Sequence, residues 1–281
     1  MEINNLEKFK SKVASGKTAL GCVITMHDAS VSELAADTGC DFIWIDMEHS
    51  PMTIVDAMYH VMAVRGTVCA PFVRVPWNVN YLIKPILDFA PAGVIIPMIN
   101  NAQEAQAAVQ SCRYPMHGGQ RGFALRRNNG YGRQSTEEYL EHSQSEPLVI
   151  LQIEHRDAVE NIDEILKVSG IDSICIGPYD LSCSYGKPGR FDDPEIADAI
   201  DTVREKTLGS GVMLGGFCCG EFWNDRFMHW KCLTVDFSVL RDNLADLLSR
   251  NNNMCPRGTA TLHPPERTGK YTSPTHTNIS K

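Results

Sequence analysis

Residues 93–97 read GVIIP and residues 148–153 read LVILQI. Neither run alternates apolar with polar, so both read as strands buried on two faces, which is what a parallel sheet covered by helices requires. Six further runs of this kind stand at 19–25, 41–45, 69–75, 173–176, 213–216 and 232–235. The runs are followed by amphipathic stretches at 31–38, 54–65, 81–89, 102–112, 158–168, 195–208, 221–230 and 240–248, which the spacing predicts as helices. Strict alternation of this kind predicts an α/β chain closed into a (β/α)8 TIM barrel. A doubly wound open sheet is the main rival. It would carry a glycine fingerprint after its first strand, and ALGCVITMHDAS (19–30) has none.

The chain has 281 residues, of which 43% are hydrophobic and 21% charged, and its formal net charge is -8. Such a composition supports a large core and argues against wholesale disorder. No basic field is available for nucleic acid or anionic membrane, so neither is expected as a partner. The N-terminal MEINNLEKFKSKVASGK lacks an apolar signal core and no run reaches membrane-spanning length, so a cytoplasmic protein is expected. The ten cysteines are scattered without a C-x-x-C pair, which favours reduced, mostly buried thiols over disulfides or zinc. Two stretches break the rhythm. Residues 114–147, rich in Gly, Arg and Asn, form an excursion long enough to be functional or disordered. From 251 the chain turns polar and proline-containing. The expected organisation is a catalytic barrel over 1–250 and a disordered tail over 251–281.

Barrels of this type place their chemistry at the C-terminal ends of strands. Applied to the polar residues, that rule selects Asp46, Glu48 and His49 after the second strand and Arg74 at the end of the third. It also selects Gln152 and Glu154 at the end of the fifth and Asp180 after the sixth. Glu154 and Asp180 come from neighbouring strand ends. Two carboxylates converging there without a matching lysine repel unless a cation or a proton joins them. A divalent ion with open positions would fit, and so would salt bridges to loop arginines. His49 beside carboxylates has the setting of a proton carrier, although a loop histidine equally caps a helix or faces solvent. Arg74 ends an apolar strand, where a guanidinium needs an anion: a bound carboxylate, an enolate, or simply Asp46. No G-x-S-x-G elbow, P-loop or H-x-x-x-H pair is present. No lysine falls at a strand end, since Lys84 lies in a helix-like run and Lys231 begins the eighth strand, so Schiff-base chemistry is disfavoured.

Taken in order, DFIWIDMEHSP (41–51), PFVRVP (71–76), IKPILDFAPAGVIIPMIN (83–100), RYPMHGGQRG (113–122), LQIEH (151–155) and IGPYDLS (176–182) resemble the HpcH/HpaI aldolase and citrate lyase superfamily. Within it the likeness is to the metal-dependent class II 2-oxo-acid aldolases and to the fungal macrophomate synthase branch, and it spans about 18–248. The resemblance implies a metal, Mg²⁺ first and Mn²⁺ or Co²⁺ otherwise, on Glu154 and Asp180. It implies that Arg74 steadies the enolate oxygen of a pyruvate unit, that Asp46 and His49 form a proton-shuttling dyad, and that Gln152, Gly177 and Pro178 bind substrate.

The activity implied is cleavage of a 4-hydroxy-2-oxo acid to pyruvate and an aldehyde. An oxaloacetate decarboxylase, or a synthase that spends the same enolate on carbon–carbon bond formation, is the alternative. A non-catalytic barrel would be expected to lose Glu154, Asp180 or Arg74, and all three are present. The resemblance further implies a homo-oligomer, a hexamer built as a trimer of dimers, with the C-terminal helix exchanged between partners. Three departures put the acceptor substrate in doubt: the loop with Met116, the extra arginines of GFALRRNNGYG (122–132), and TVDFSV (234–239) where a glycine is usual.

Overall fold

The computed structural model describes residues 3–254. All eight expected runs are strands: β1 (Ala19–Ile24), β2 (Phe42–Asp46), β3 (Ala70–Arg74), β4 (Gly93–Ile96), β5 (Leu148–Ile153), β6 (Ser173–Ile176), β7 (Met213–Phe217) and β8 (Trp230–Val235). Each pairs in parallel with its chain neighbours, and β8 closes onto β1, so the fold is a (β/α)8 TIM barrel. The helices are α1 (Leu6–Ala14), α2 (Ser30–Asp37), α3 (Ile54–Ala63), α4 (Asn80–Leu87), α5 (Ala102–Cys112), α6 (Thr136–His142), α7 (Arg156–Glu160), α8 (Ile162–Leu166), α9 (Pro178–Ser184), α10 (Pro194–Ser210) and α11 (Asp236–Met254).

Inward-facing residues fill the barrel in layers. Phe9 of α1 plugs the N-terminal end, its ring 5.0 Å from Phe72 and 6.1 Å from Phe42. Above it Phe42, Phe72 and Trp230 pack together, and Trp230 meets Trp44 at 6.2 Å. Pairs of this geometry each contribute about 0.5–1.5 kcal/mol beyond area burial. Trp230 fits because position 215 is glycine: a Cβ there would stand 1.9 Å from the indole. Its Nε1 donates to Ser173 Oγ at 3.0 Å, so the buried donor is satisfied. The strands' other faces pack on the helices through a second aliphatic core.

The sequence reading differs from the structure in three places. Residues 221–230, expected as a helix, give one 3₁₀ turn (Glu221–Trp223) and then open loop into β8. Arg226 folds back to donate to the Phe222 carbonyl at 2.7 Å and is held by Asp201 at 2.8 Å, which closes the chain on itself before a second helical turn forms. The excursion over 114–147 holds two 3₁₀ turns and α6, and it packs at the N-terminal end of the barrel. Arg121 donates to Leu87 O, and Arg127 donates to Phe89 O and Ile3 O. These carbonyls lead into β4 or precede α1. Of the extra arginines, Arg127 therefore serves the end opposite the strands' C-termini. Third, α11 runs on to Met254, past the boundary expected at 250. The remainder of the expected tail, 255–281, lies outside the described residues.

Residues through Arg241 form one compact unit and those from Asp242 a second. The nine described cysteines are free, and Cys69, Cys112, Cys175, Cys218 and Cys232 are buried. Among the described residues no helix is long and apolar enough to cross a membrane.

Candidate active site

Parallel register sets the last residue of β2 opposite the last residue of β3, which brings Asp46 to Arg74. Arg74 Nε and Nη2 donate to the two Asp46 carboxylate oxygens at 2.8 and 2.6 Å, a bidentate pair with both side chains buried. The guanidinium also lies 5.0 Å over the Trp44 ring, so the aromatic column described above ends in this cation. Nη1 reaches Gln152 Oε1 at 3.5 Å and Glu48 Oε2 at 2.9 Å. The Glu48 contact is close but poorly aligned, since that oxygen has no well-directed hydrogen bond. Burial alone would raise the Asp46 pKa. The charge and hydrogen bonds of Arg74 outweigh it and hold the carboxyl below its ordinary range.

Asp46 also shapes the loop after β2. Its Oδ1 accepts from the backbone N–H of Glu48 at 3.0 Å and of His49 at 3.4 Å, an Asx-type turn. His49 Nε2 stands 3.5 Å from Asp180 Oδ2 and 4.0 Å from Glu48 Oε2. The imidazole is thus directed at Asp180 and Glu48, and the side-chain contact expected between His49 and Asp46 is replaced by these two. The reason is that Arg74 already occupies both Asp46 oxygens.

Glu154 follows β5 and is 1% exposed. Its Oε1 accepts from Met98 N at 2.7 Å and its Oε2 from the Gln152 amide. Met98 takes φ 54°, a left-handed conformation that a side chain disfavours, and its N–H is spent on this carboxylate. Burial, then the Glu48 charge, pushes the Glu154 pKa up to about 8. Burial also raises Glu48, against the pull of Arg74. Asp46, Glu48 and Glu154 therefore act on one buried guanidinium, and the charge of Asp180 adds to Glu48 and Glu154, a set that calls for a proton or a cation. Gly177 lets these side chains close on its backbone: a Cβ there would stand 2.6 Å from Glu154 Oε2 and 2.7 Å from Gln152 Nε2. The donor set, oxygen ligands from Glu154 and Asp180, fits a divalent ion.

A cleft of about 440 Å³ opens above these groups. Asp46, His49, Arg74, Gln152, Gly177, Pro178 and Asp180 line it, while Glu154 lies covered behind Gln152 and Gly177. Sequence reasoning missed Val23, Thr25, Trp44, Tyr179, Phe217, Val235 and Phe237, which complete the lining. Trp44 Nε1 is a buried donor without a protein partner. Among the described residues no lysine lines the cleft, and Lys231 donates to Trp223 O at 2.8 Å instead. His27 pairs with Asp56, and His155 accepts from Asp157 N at the start of α7.

A TIM barrel with a carboxylate-rich mouth, an anchored arginine and no cleft lysine defines an enzyme architecture suited to oxo-acid chemistry on a divalent ion. The sequence model of the HpcH/HpaI aldolase/citrate lyase family matches residues 20–239, and the chain belongs to that family. It is 34% identical over 251 residues to a 2-keto-3-deoxy-L-rhamnonate aldolase of Escherichia coli O9:H4, covering 89% of this chain and 93% of that one. It is 36% identical over 203 residues to a pyruvate aldolase of Rhizobium etli, covering 72% and 79%. The fold is shared with macrophomate synthase at a TM-score of 0.75 and 22% identity, covering 90% and 92%.

Proposed function

We propose that the chain is a carbon–carbon lyase that cleaves a 4-hydroxy-2-oxo acid into pyruvate and an aldehyde with the aid of a divalent metal. One observation carries the reading: Glu154 is 1% exposed, and burial with the neighbouring charges of Glu48 and Asp180 pushes its pKa up to about 8. Relatives over most of the chain that are named as aldolases of keto acids and of pyruvate support it. When bound on Glu154 and Asp180, the metal, Mg²⁺ first, supplies Lewis acidity toward the 2-oxo acid.

The chain's own residues do the rest. Arg74 is a preorganised positive charge where the 2-oxo oxygen becomes negative, and Asp46 is its positioning residue. As the C3–C4 bond breaks, its electrons pass into the enolate and the C4 hydroxyl proton leaves to His49. The C4 fragment departs as aldehyde, and protonation of C3 then gives pyruvate. Gln152 bridges Arg74 and Glu154 and keeps both side chains oriented.

Chelator should abolish turnover and Mg²⁺ should restore it, and full activity in chelator would exclude the metal. Borohydride with pyruvate should trap no adduct. Comparing aldehyde release from hydroxy-oxo acids with CO₂ release from oxaloacetate separates the lyase from a decarboxylase. The implied hexamer with an exchanged last helix is supported by the exposed Leu240, Leu244, Leu247 and Leu248 of α11, an apolar surface that a second copy would cover. Sedimentation should show the hexamer, and a monomer at micromolar concentration would remove that part of the proposal.

A further inference from the structure

Polarity is divided across the mouth. Asp46, Arg74, Gln152 and Asp180 enter the cleft from β2, β3, β5 and the start of α9. The opposite side, where β7, β8 and β1 are adjacent, presents Val23, Phe217, Val235 and Phe237. Tyr179 leans across to Phe217, with ring centroids 5.9 Å apart, and rests against Phe191 at 5.0 Å.

The departure at TVDFSV explains how this side is built. Asp236 accepts from Thr25 N and Met26 N at 2.7 and 2.8 Å and from Thr25 Oγ1 at 2.7 Å. It thereby ties the end of β8 to the end of β1 and fixes its neighbours Val235 and Phe237 at the cleft. The same contacts commit the Thr25 hydroxyl proton and the Asp236 carboxylate, which leaves the Thr25 oxygen as an acceptor only. Apart from the Tyr179 phenol and the acceptor oxygen of Thr25, the described lining on this side offers a ligand no side-chain hydrogen-bond group and no charge. Phe237 and Tyr179 remain about half exposed, at 47% and 55%, although they are large apolar side chains.

Resting on the enolate reading above, we propose that this side is the acceptor pocket. The aldehyde joined to or released from pyruvate then carries an apolar hydrocarbon group in place of a hydroxylated or charged chain. In the synthetic direction, pyruvate gives up one methyl proton and its C3 bonds to the aldehyde carbon. The aldehyde oxygen takes up one proton, giving the 4-hydroxy-2-oxo acid with no other reactant consumed. The aldehyde's substituent then lies against Phe217, Val235 and Phe237. A hydroxyl or carboxylate placed there loses its water and gains no partner, whereas a hydrocarbon covers the exposed rings.

The test uses the full chain with Mg²⁺ and pyruvate and measures kcat/KM for four aldehydes. Butanal should exceed 3-hydroxybutanal and succinic semialdehyde, which have the same carbon count, by about tenfold or more. The enzyme should accept 3-phenylpropanal at least as well as butanal. Phe217→Ser should reduce the ratio to about threefold or less, while Phe217→Leu should preserve it. Equal or better use of the polar aldehydes by the unaltered enzyme would overturn the pocket. Exchange of pyruvate methyl protons with D₂O in the unaltered enzyme reads the enolate step separately. Exchange without an apolar preference sinks the pocket alone, and no exchange sinks both.

Discussion

At its N-terminal end the barrel is closed by Phe9 against Phe42 and Phe72, while at its C-terminal end the same two strands finish in Asp46 and Arg74. Both ends are buried, but they meet the demands of burial differently. The floor contains nothing that must be solvated, and its one indole donor is paired with Ser173. The mouth gathers three carboxylates around one guanidinium, adds Asp180 beside His49, and leaves Glu154 pushed up to about 8. The floor therefore supplies rigidity and stability, whereas the mouth holds an electrostatic imbalance that only a ligand or a proton relieves.

The sharpest way to break this contrast is Glu154→Gln. The amide keeps the shape and removes the charge, so kcat/KM should fall about a thousandfold, a loss of about 4 kcal/mol of transition-state stabilisation. Mn²⁺ titration followed by electron paramagnetic resonance should show binding weakened about a hundredfold. The metal-free protein should be no less stable in calorimetry, because a costly buried carboxyl has gone. Unchanged Mn²⁺ affinity would refute the assignment. The floor should respond in the opposite sense. Phe42→Ala should cost about 3–4 kcal/mol of unfolding free energy in urea while leaving Mn²⁺ affinity of the folded protein as it was. Weakened metal binding in folded Phe42→Ala would mean that the two ends are not separate.

Asp46→Asn probes the join between them. Arg74 would lose a bidentate anionic partner while its packing on Trp44 persisted. Activity should fall about a hundredfold, mostly in kcat, since a mispositioned charge weakens the transition state more than substrate binding. A pure KM effect would show that Asp46 shapes the binding pocket and does not position the charge.

What the sequence carried depended on whether local pattern or long-range geometry decided the outcome. The strands were legible because residues such as those of 93–97 and 148–153 are apolar through and through, and burial on both faces leaves no other reading. The polar half of the mouth was legible because strand ends are fixed by where such runs stop, so Asp46, Arg74 and Asp180 followed from position alone. The direction of His49 was not, because it depends on Arg74 having claimed both oxygens of Asp46 across two strands. Phe217, Val235 and Phe237 look like ordinary core residues in sequence, and only closure of β8 onto β1 brings them together at the cleft. The helix expected over 221–230 failed because one long-range ion pair, Arg226 with Asp201, outweighs a short amphipathic pattern.

The smallest of the expected effects concerns His60, which is buried as completely as the floor yet titratable. Its Nδ1 lies 2.7 Å from Ser32 Oγ, and its Nε2 has no well-directed hydrogen bond. Burial lowers its pKa, against a backbone hydrogen bond with Met26 and the attraction of Asp236, Asp56 and Asp28. If the helix-facing wall follows the floor's rule, this ring stays neutral, whereas the mouth buries its charges by pairing them. A base whose folded pKa is depressed contributes stability that is fully present above its unfolded value, about 6.5. That stability is lost as pH falls toward the folded pKa, because the unfolded chain takes up a proton that the folded chain refuses. The slope approaches about 1.4 kcal/mol per pH unit at most. His60→Gln keeps a partner for Ser32 and cannot titrate. Between pH 7.5 and 5.5 the unaltered protein should therefore lose about 1 kcal/mol more unfolding free energy in urea than the variant. Equal losses would mean that His60 is charged in place, and that the wall, like the mouth, tolerates a buried ion among those three carboxylates.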